Sequence, residues 1–131
     1  MCFRTKLHEW TKFILSQNSD REYIQIQLRK IYNYPDTVIF KPTLFNHFCE
    51  NENDAIDYFT FFIKKNWTNI TFDEYSNVTK NNITIANGKY TFENANNRIT
   101  AYYIFGIDER GKITLHHSEL DRSYPLEDLH I

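Results

Sequence analysis

Ala101-Tyr102-Tyr103-Ile104-Phe105-Gly106-Ile107 and Ile113-Thr114-Leu115-His116-His117-Ser118 are separated by Asp108-Glu109-Arg110-Gly111 and one further residue, Lys112. Two runs rich in β-branched and aromatic residues, joined by a short segment containing glycine, predict an antiparallel hairpin. From Trp67 onward the whole pattern is β, with further short runs at 70–72, 78–79 and 83–92 and a first hairpin strand over 99–107.

Before these strands the periodicity is helical. Phe3, Leu7, Trp10 and Ile14, with Phe13 beside them, recur at the spacing of one helix face, ending near Gln17-Asn18. Ser19-Asp20-Arg21-Glu22 has capping-box form and opens a second stretch with Ile24, Leu28 and Ile31 on one face. Ile24, Ile26 and Leu28 also alternate, but the cap favours helix. After the turn at Tyr34-Pro35-Asp36, the run Thr37-Val38-Ile39-Phe40 reads as a short strand. Pro42, lacking an N–H, stops that strand or places it at an edge. Asn51-Glu52-Asn53-Asp54 supplies caps and acids for a third helix, with Ile56, Phe59, Phe62 and Ile63 on one face. Helices first and antiparallel strands afterwards predict an α+β fold with helices packed on one face of a bent sheet.

Asn87-Gly88 allows two readings. It suits a hairpin turn. It also suits a β-bulge inside one strand, because Ile83 and Ile85 hold odd positions while Tyr90 and Phe92 hold even ones.

The bulk composition bounds the rest. A chain of 131 residues suits a single domain spanning 1–131. Eleven Phe, nine Tyr and two Trp exceed what so small a core hides, so some rings are expected at a cavity or subunit interface. Net charge is −2 with signs interspersed, which argues against nucleic acid as a partner. No stretch reaches the roughly 20 apolar residues of a membrane span, and no signal core opens the chain, so a cytoplasmic protein is expected. Cys2 and Cys49 are then expected to be free thiols, and sequons at Asn66, Asn69, Asn77 and Asn82 to be products of an Asn-rich composition.

The strand residues His116 and His117 are candidate acid–base groups, since imidazole titrates near neutrality. Adjacent strand residues point to opposite faces, so a regular strand sends one of them into a pocket. His117 shares parity with the apolar Ile113 and Leu115, and His116 with Thr114 and Ser118. Asp57 on the third helix is a further candidate, balanced by the ordinary role of a helix-start acid facing water. Tyr58, Phe62, Tyr90, Tyr103 and Phe105 are candidates to line a pocket or, equally, to pack the core. His8, His47 and His130 show no metal-ligand spacing, and no phosphate loop or dinucleotide fingerprint occurs, so neither metal nor cofactor is expected.

Several ordered segments carry a resemblance. Phe40-Lys41-Pro42-Thr43-Leu44, Ile56-Asp57-Tyr58-Phe59-Thr60-Phe61-Phe62-Ile63, Gly88-Lys89-Tyr90-Thr91-Phe92, Ala101-Tyr102-Tyr103-Ile104-Phe105 and the segment 113–118 resemble SgcJ/EcaC-type proteins. These are similar to the association domain of calcium/calmodulin-dependent protein kinase II, in the nuclear-transport-factor-2-like superfamily. The resemblance spans about residues 7–125. It implies three helices closing a strongly curved antiparallel sheet over a pocket, Gly88 inside a strand, and pairing into homodimers or larger rings. Departures from the pattern are Tyr102 in place of Arg, Leu115 in place of the first His of a triplet, and Glu119 in place of a second Ser.

Two functions are in view. The leading expectation is a non-enzymatic, self-associating domain that binds a small ligand in its cone. The alternative is a cofactor-free isomerase, dehydratase or cyclase acting on a small apolar molecule through a pocket His with Asp or Tyr.

Overall fold

The computed structural model describes residues 3–121. Helices α1 (Phe3–Leu15) and α2 (Arg21–Ile31) lead to strand β1 (Ile39–Lys41) and helix α3 (Glu52–Ile63). Strands β2 (Asn69–Lys80), β3 (Ile83–Glu93), β4 (Arg98–Ile107) and β5 (Ile113–Leu120) follow. They form one sheet in the order β1-β5-β4-β3-β2, and the helices pack on its inner face. This is the expected cone-like α+β arrangement. One strand departs from it: β1 pairs in parallel with β5, Phe40 opposite His116. Parallel entry is possible because helix α3 and three strands separate the two in sequence.

Local chemistry explains the element ends. Asp20, rather than Ser19, caps α2, its carboxylate accepting the Tyr23 N–H at 3.0 Å. Asn51 caps α3, its side-chain oxygen accepting the Asp54 N–H at 2.8 Å. Each cap satisfies a helix N–H that would otherwise lack a partner. At the end of α2 the backbone N–H of the C-cap, Tyr32, still reaches Leu28 O at 2.8 Å. The next residue then ties to the sheet, Asn33 N–H donating to Ile113 O at 3.0 Å.

The long β2–β3 hairpin resolves the Asn87-Gly88 ambiguity. Its turn is Asn81-Asn82, both residues at positive φ of 54° and 64°, the two-residue geometry that matches strand twist. β3 runs without interruption through Gly88, and all its even positions from Thr84 to Phe92 face inward. Ile83 and Ile85 therefore face outward, and the odd-to-even shift of apolar residues reflects two apolar faces rather than a bulge in β3. The bulge lies opposite, at Tyr75, where the β2 register slips between Glu74 and Ser76.

Gly88 is required by a close approach. An added Cβ would sit 2.2 Å from the backbone oxygen of Asp73 and 2.9 Å from the Tyr103 hydroxyl. On the inner face it belongs to the cross-strand row Ser118–Tyr103–Gly88–Glu74, so its missing side chain makes room for Tyr103. The adjacent row is Phe40–His116–Phe105–Ala86.

Gly88→Ala is expected to lower unfolding free energy by about 1–3 kcal/mol, the usual cost of overpacking. Urea denaturation measures it; an unchanged midpoint contradicts the close approach.

Candidate functional site

Strand β5 turns its more polar parity inward. His116 and Ser118 are buried, while Leu115 and His117 face the other side of the sheet. A register slip between Gly106 and Ile107 lets Ile113 be buried although Leu115 faces outward. Polar side chains on a buried strand face need partners, and here each one has them.

His116 is held at both ring nitrogens. Its Nδ1 is 2.8 Å from the Tyr32 hydroxyl and its Nε2 is 3.0 Å from the Tyr90 hydroxyl. Tyr32 also accepts the Trp10 indole N–H at 3.0 Å. On the far side, Tyr90 meets Thr43 Oγ1 at 3.1 Å, and Thr43 meets Ser118 Oγ at 2.7 Å. Lys41 fixes the strand beneath, its ammonium donating to Ser118 O at 2.8 Å. Five separate pieces of chain thus converge: α1, the end of α2, the segment after β1, β3 and β5.

The surroundings are rings. Phe105 lies 4.3 Å and Phe40 5.0 Å from the His116 ring centroid, and Trp10 stacks on Tyr90 at 5.6 Å. Burial among them pushes the His116 imidazole down to about 3, with a smaller push from His117, so the ring is neutral at physiological pH. Burial likewise holds Tyr32 and Tyr90 well above the ordinary phenol value; hydrogen bonds to Ser118 and Thr43 oppose this at Tyr90.

Tyr58 completes the group. It is buried on α3, and its hydroxyl has no hydrogen-bond partner. The Thr43 hydroxyl and the Leu44 backbone approach without completing a bond of normal geometry, and they only partly offset the rise that burial imposes on the phenol.

The remaining sequence candidates are distributed as follows. Phe62 and Phe105 pack in the aromatic core, Phe62 stacked on Tyr58 at 5.4 Å. Tyr103 is buried beside Gly88, with its phenol raised to about 12 by desolvation and by Glu74 and Asp73. Asp57 is not brought to His116: it is half exposed and pairs with Arg21 at 2.7 Å on the outside of α3. His117 stacks on Phe48 outside the sheet and sits 3.4 Å from Glu119. Tyr102 and Glu119, two of the departures from the family pattern, also lie outside; Tyr102 receives Lys89 over its ring. Cys49 is free and buried, its thiol pushed up to about 12 by desolvation; Cys2 and His130 fall outside the described residues. Among the described residues no cluster of three His, Cys, Asp or Glu side chains is placed to hold a metal.

Sequence reasoning missed Trp10, Tyr32, Thr43 and Ser118. One signal was present: Thr114, His116 and Ser118 repeat every second residue, a polar stripe on a strand otherwise made for the interior.

The family model described as metal-independent carbonic anhydrase matches residues 6–120. The chain belongs to that family. This corrects the expectation of a non-enzymatic domain, because both the family and a solved relative are described as enzymes. That relative is the iota-carbonic anhydrase of a cyanobacterium complexed with bicarbonate. It is 18% identical over 92% of this chain and 90% of its own, at a TM-score of 0.68. A structure from Xanthomonas campestris, described as a calcium/calmodulin-dependent protein kinase II association domain, is 22% identical over 90% of this chain and 84% of its own, at 0.64. An epoxide hydrolase of the LEH type from M. tuberculosis shares the fold at 7% identity and 0.53, covering 90% of each chain. These likenesses confirm the nuclear-transport-factor-2-like fold. No curated protein matches in sequence.

Because the folded-state value of His116 is depressed, the unfolded chain binds the extra proton first. Its contribution to stability is complete above about pH 6.5 and is lost as pH falls toward about 3. Within that window, wild-type protein is expected to lose stability more steeply than His116→Gln, by about 1.4 kcal/mol per pH unit. Denaturation series across this range measure the two slopes; equal slopes contradict a neutral, buried His116.

Proposed function

We propose that the chain catalyses the reversible hydration of carbon dioxide without a metal ion, at Thr43, Tyr58, Tyr90, His116 and Ser118. The observation that carries this reading is the family match over residues 6–120. The relative solved with bicarbonate supports it. The chemistry of the cluster is consistent with it: a neutral imidazole, a run of hydroxyls and the phenol of Tyr58, which like those of Tyr34 and Tyr103 is buried without a partner, all inside a shell of rings. Carbon dioxide is itself a small apolar molecule, chemically compatible with such a shell.

In the reaction, the oxygen of water bonds to the carbon of carbon dioxide, one C=O π bond opens, and its electron pair goes to oxygen. Hydroxyl donors aimed at that oxygen stabilise the charge as it develops, and they do so most strongly where water is excluded. We assign this to the Tyr58 and Ser118 hydroxyls, with Thr43 holding Ser118 in position. As the water attacks, its proton passes to the Tyr58 oxygen while the Tyr58 proton passes to the developing oxyanion, so the product is carbonic acid, which ionises to bicarbonate on reaching solvent. His116 keeps Tyr90 in place for both tasks.

A second observation favours self-association through the outer sheet face. Ile39, Leu115, Gly106, Ile85 and Val78 form one cross-strand row there, with Ile39, Ile85 and Val78 exposed. Ile104 and Tyr102 extend the same surface. A row of this kind, continuous across every strand, fits a second copy of the chain. Sedimentation velocity is expected to show a dimer that Ile85→Glu dissociates; a wild-type monomer at all concentrations contradicts it.

Stopped-flow hydration with a pH indicator tests the activity. Chelator-treated protein is expected to accelerate hydration in proportion to its concentration. Tyr58→Phe and Ser118→Ala are each expected to lower kcat by about 100-fold, the usual loss for one removed donor. Activity absent from the intact protein, or lost to the chelator and restored by zinc, contradicts the proposal.

A further inference from the structure

The bonds around His116 have a direction, and it can be derived by counting protons. The Trp10 indole has one N–H and no acceptor, so it must be the donor to Tyr32. A phenol O–H lies in the plane of its ring, which leaves it two positions. The Tyr32 oxygen has two partners, Trp10 and His116. Trp10 brings a proton and cannot accept one, so of these two partners only His116 Nδ1 can accept the Tyr32 proton.

We propose that Trp10 sets the direction of this hydrogen-bond chain and thereby holds His116 as its Nε2–H tautomer, donating to Tyr90. A neutral imidazole carries one N–H, so an Nδ1 that accepts leaves the proton on Nε2. Tyr90, receiving that proton at its oxygen, turns its own O–H to Thr43, and Thr43 donates to Ser118. Each proton from Trp10 to Thr43 then has an acceptor. The opposite direction leaves the Tyr32 proton without an acceptor in a fully buried position, which disfavours it by at least about five-fold.

The direction has a consequence for the site. With Nδ1 already accepting from Tyr32, His116 has no lone pair to offer an incoming water. It acts as a positioning residue that turns the Tyr90, Thr43 and Ser118 hydroxyls, and Trp10 acts through it. This consequence rests on the carbonic anhydrase reading above; the tautomer itself does not.

Long-range 1H–15N spectra of protein labelled at histidine read the tautomer, with His116→Gln identifying the signal. In wild-type protein at neutral pH the His116 proton is expected on Nε2. Trp10→benzothienylalanine keeps the bicyclic shape and replaces N–H with sulfur, a weak acceptor toward which Tyr32 can turn. The ratio of Nε2–H to Nδ1–H is expected to fall at least about five-fold in that variant. If it does not fold, Trp10→Phe removes the same N–H and is read the same way. A wild-type proton on Nδ1, or an unchanged ratio in a folded variant, overturns the inference. The expected tautomer in a protein that does not hydrate carbon dioxide contradicts the proposed function alone.

Discussion

Tyr32, His116 and Tyr90 form a clamp in which a buried imidazole is gripped at both nitrogens, 2.8 Å and 3.0 Å from two phenols. Burying an imidazole without partners is costly, and burying it charged costs more. Here both nitrogens are satisfied and the ring stays neutral. The three residues come from the end of α2, from β5 and from β3, so the clamp also joins the helix layer to the sheet. Trp10 extends it to α1 and Thr43 extends it to the segment after β1. Losing either phenol would leave one polar nitrogen unpaired inside an aromatic core.

The same clamp decides what the site can do. The fold is shared with a kinase association domain and an epoxide hydrolase, so it does not by itself select a reaction. The inner face of this chain sets a neutral His and a row of three hydroxyls among apolar side chains. Such groups can donate and accept in turn without carrying net charge. That combination suits an uncharged substrate that gains charge as it reacts, and the unpartnered Tyr58 hydroxyl stands beside it as a further donor.

The fold was largely legible in the sequence because its signals are local. Helical spacing placed Phe3, Trp10 and Ile14 on one face, the cap at Asn51 opened α3, and Asp108 to Gly111 marked the last hairpin. Cap and turn details went wrong where neighbouring residues were chemically equivalent: Asp20 took the cap expected of Ser19, and Asn81-Asn82 took the turn that Asn87-Gly88 also suited. Parity at β3 misled because Ile83 and Ile85 are apolar on an outward face. The site was much less legible. Tyr32 and Thr43 are separated from His116 and Ser118 by most of the chain, and they meet through the bridge of Tyr32 to Ile113 and the parallel entry of β1 beside β5. His116 was visible as a candidate, but choosing it over His117 required knowing which parity faces inward. Asp57 failed as its partner because Arg21 holds it on the solvent side of α3.

The most direct test of the central claim is 13C magnetisation transfer between carbon dioxide and bicarbonate at equilibrium, in the presence of chelator-treated protein. The account predicts an exchange rate that rises in proportion to wild-type protein and falls to the buffer rate when Ser118 and Tyr58 are replaced together by Ala and Phe. Exchange at the buffer rate with wild-type protein, or exchange undiminished in the double variant, would contradict it.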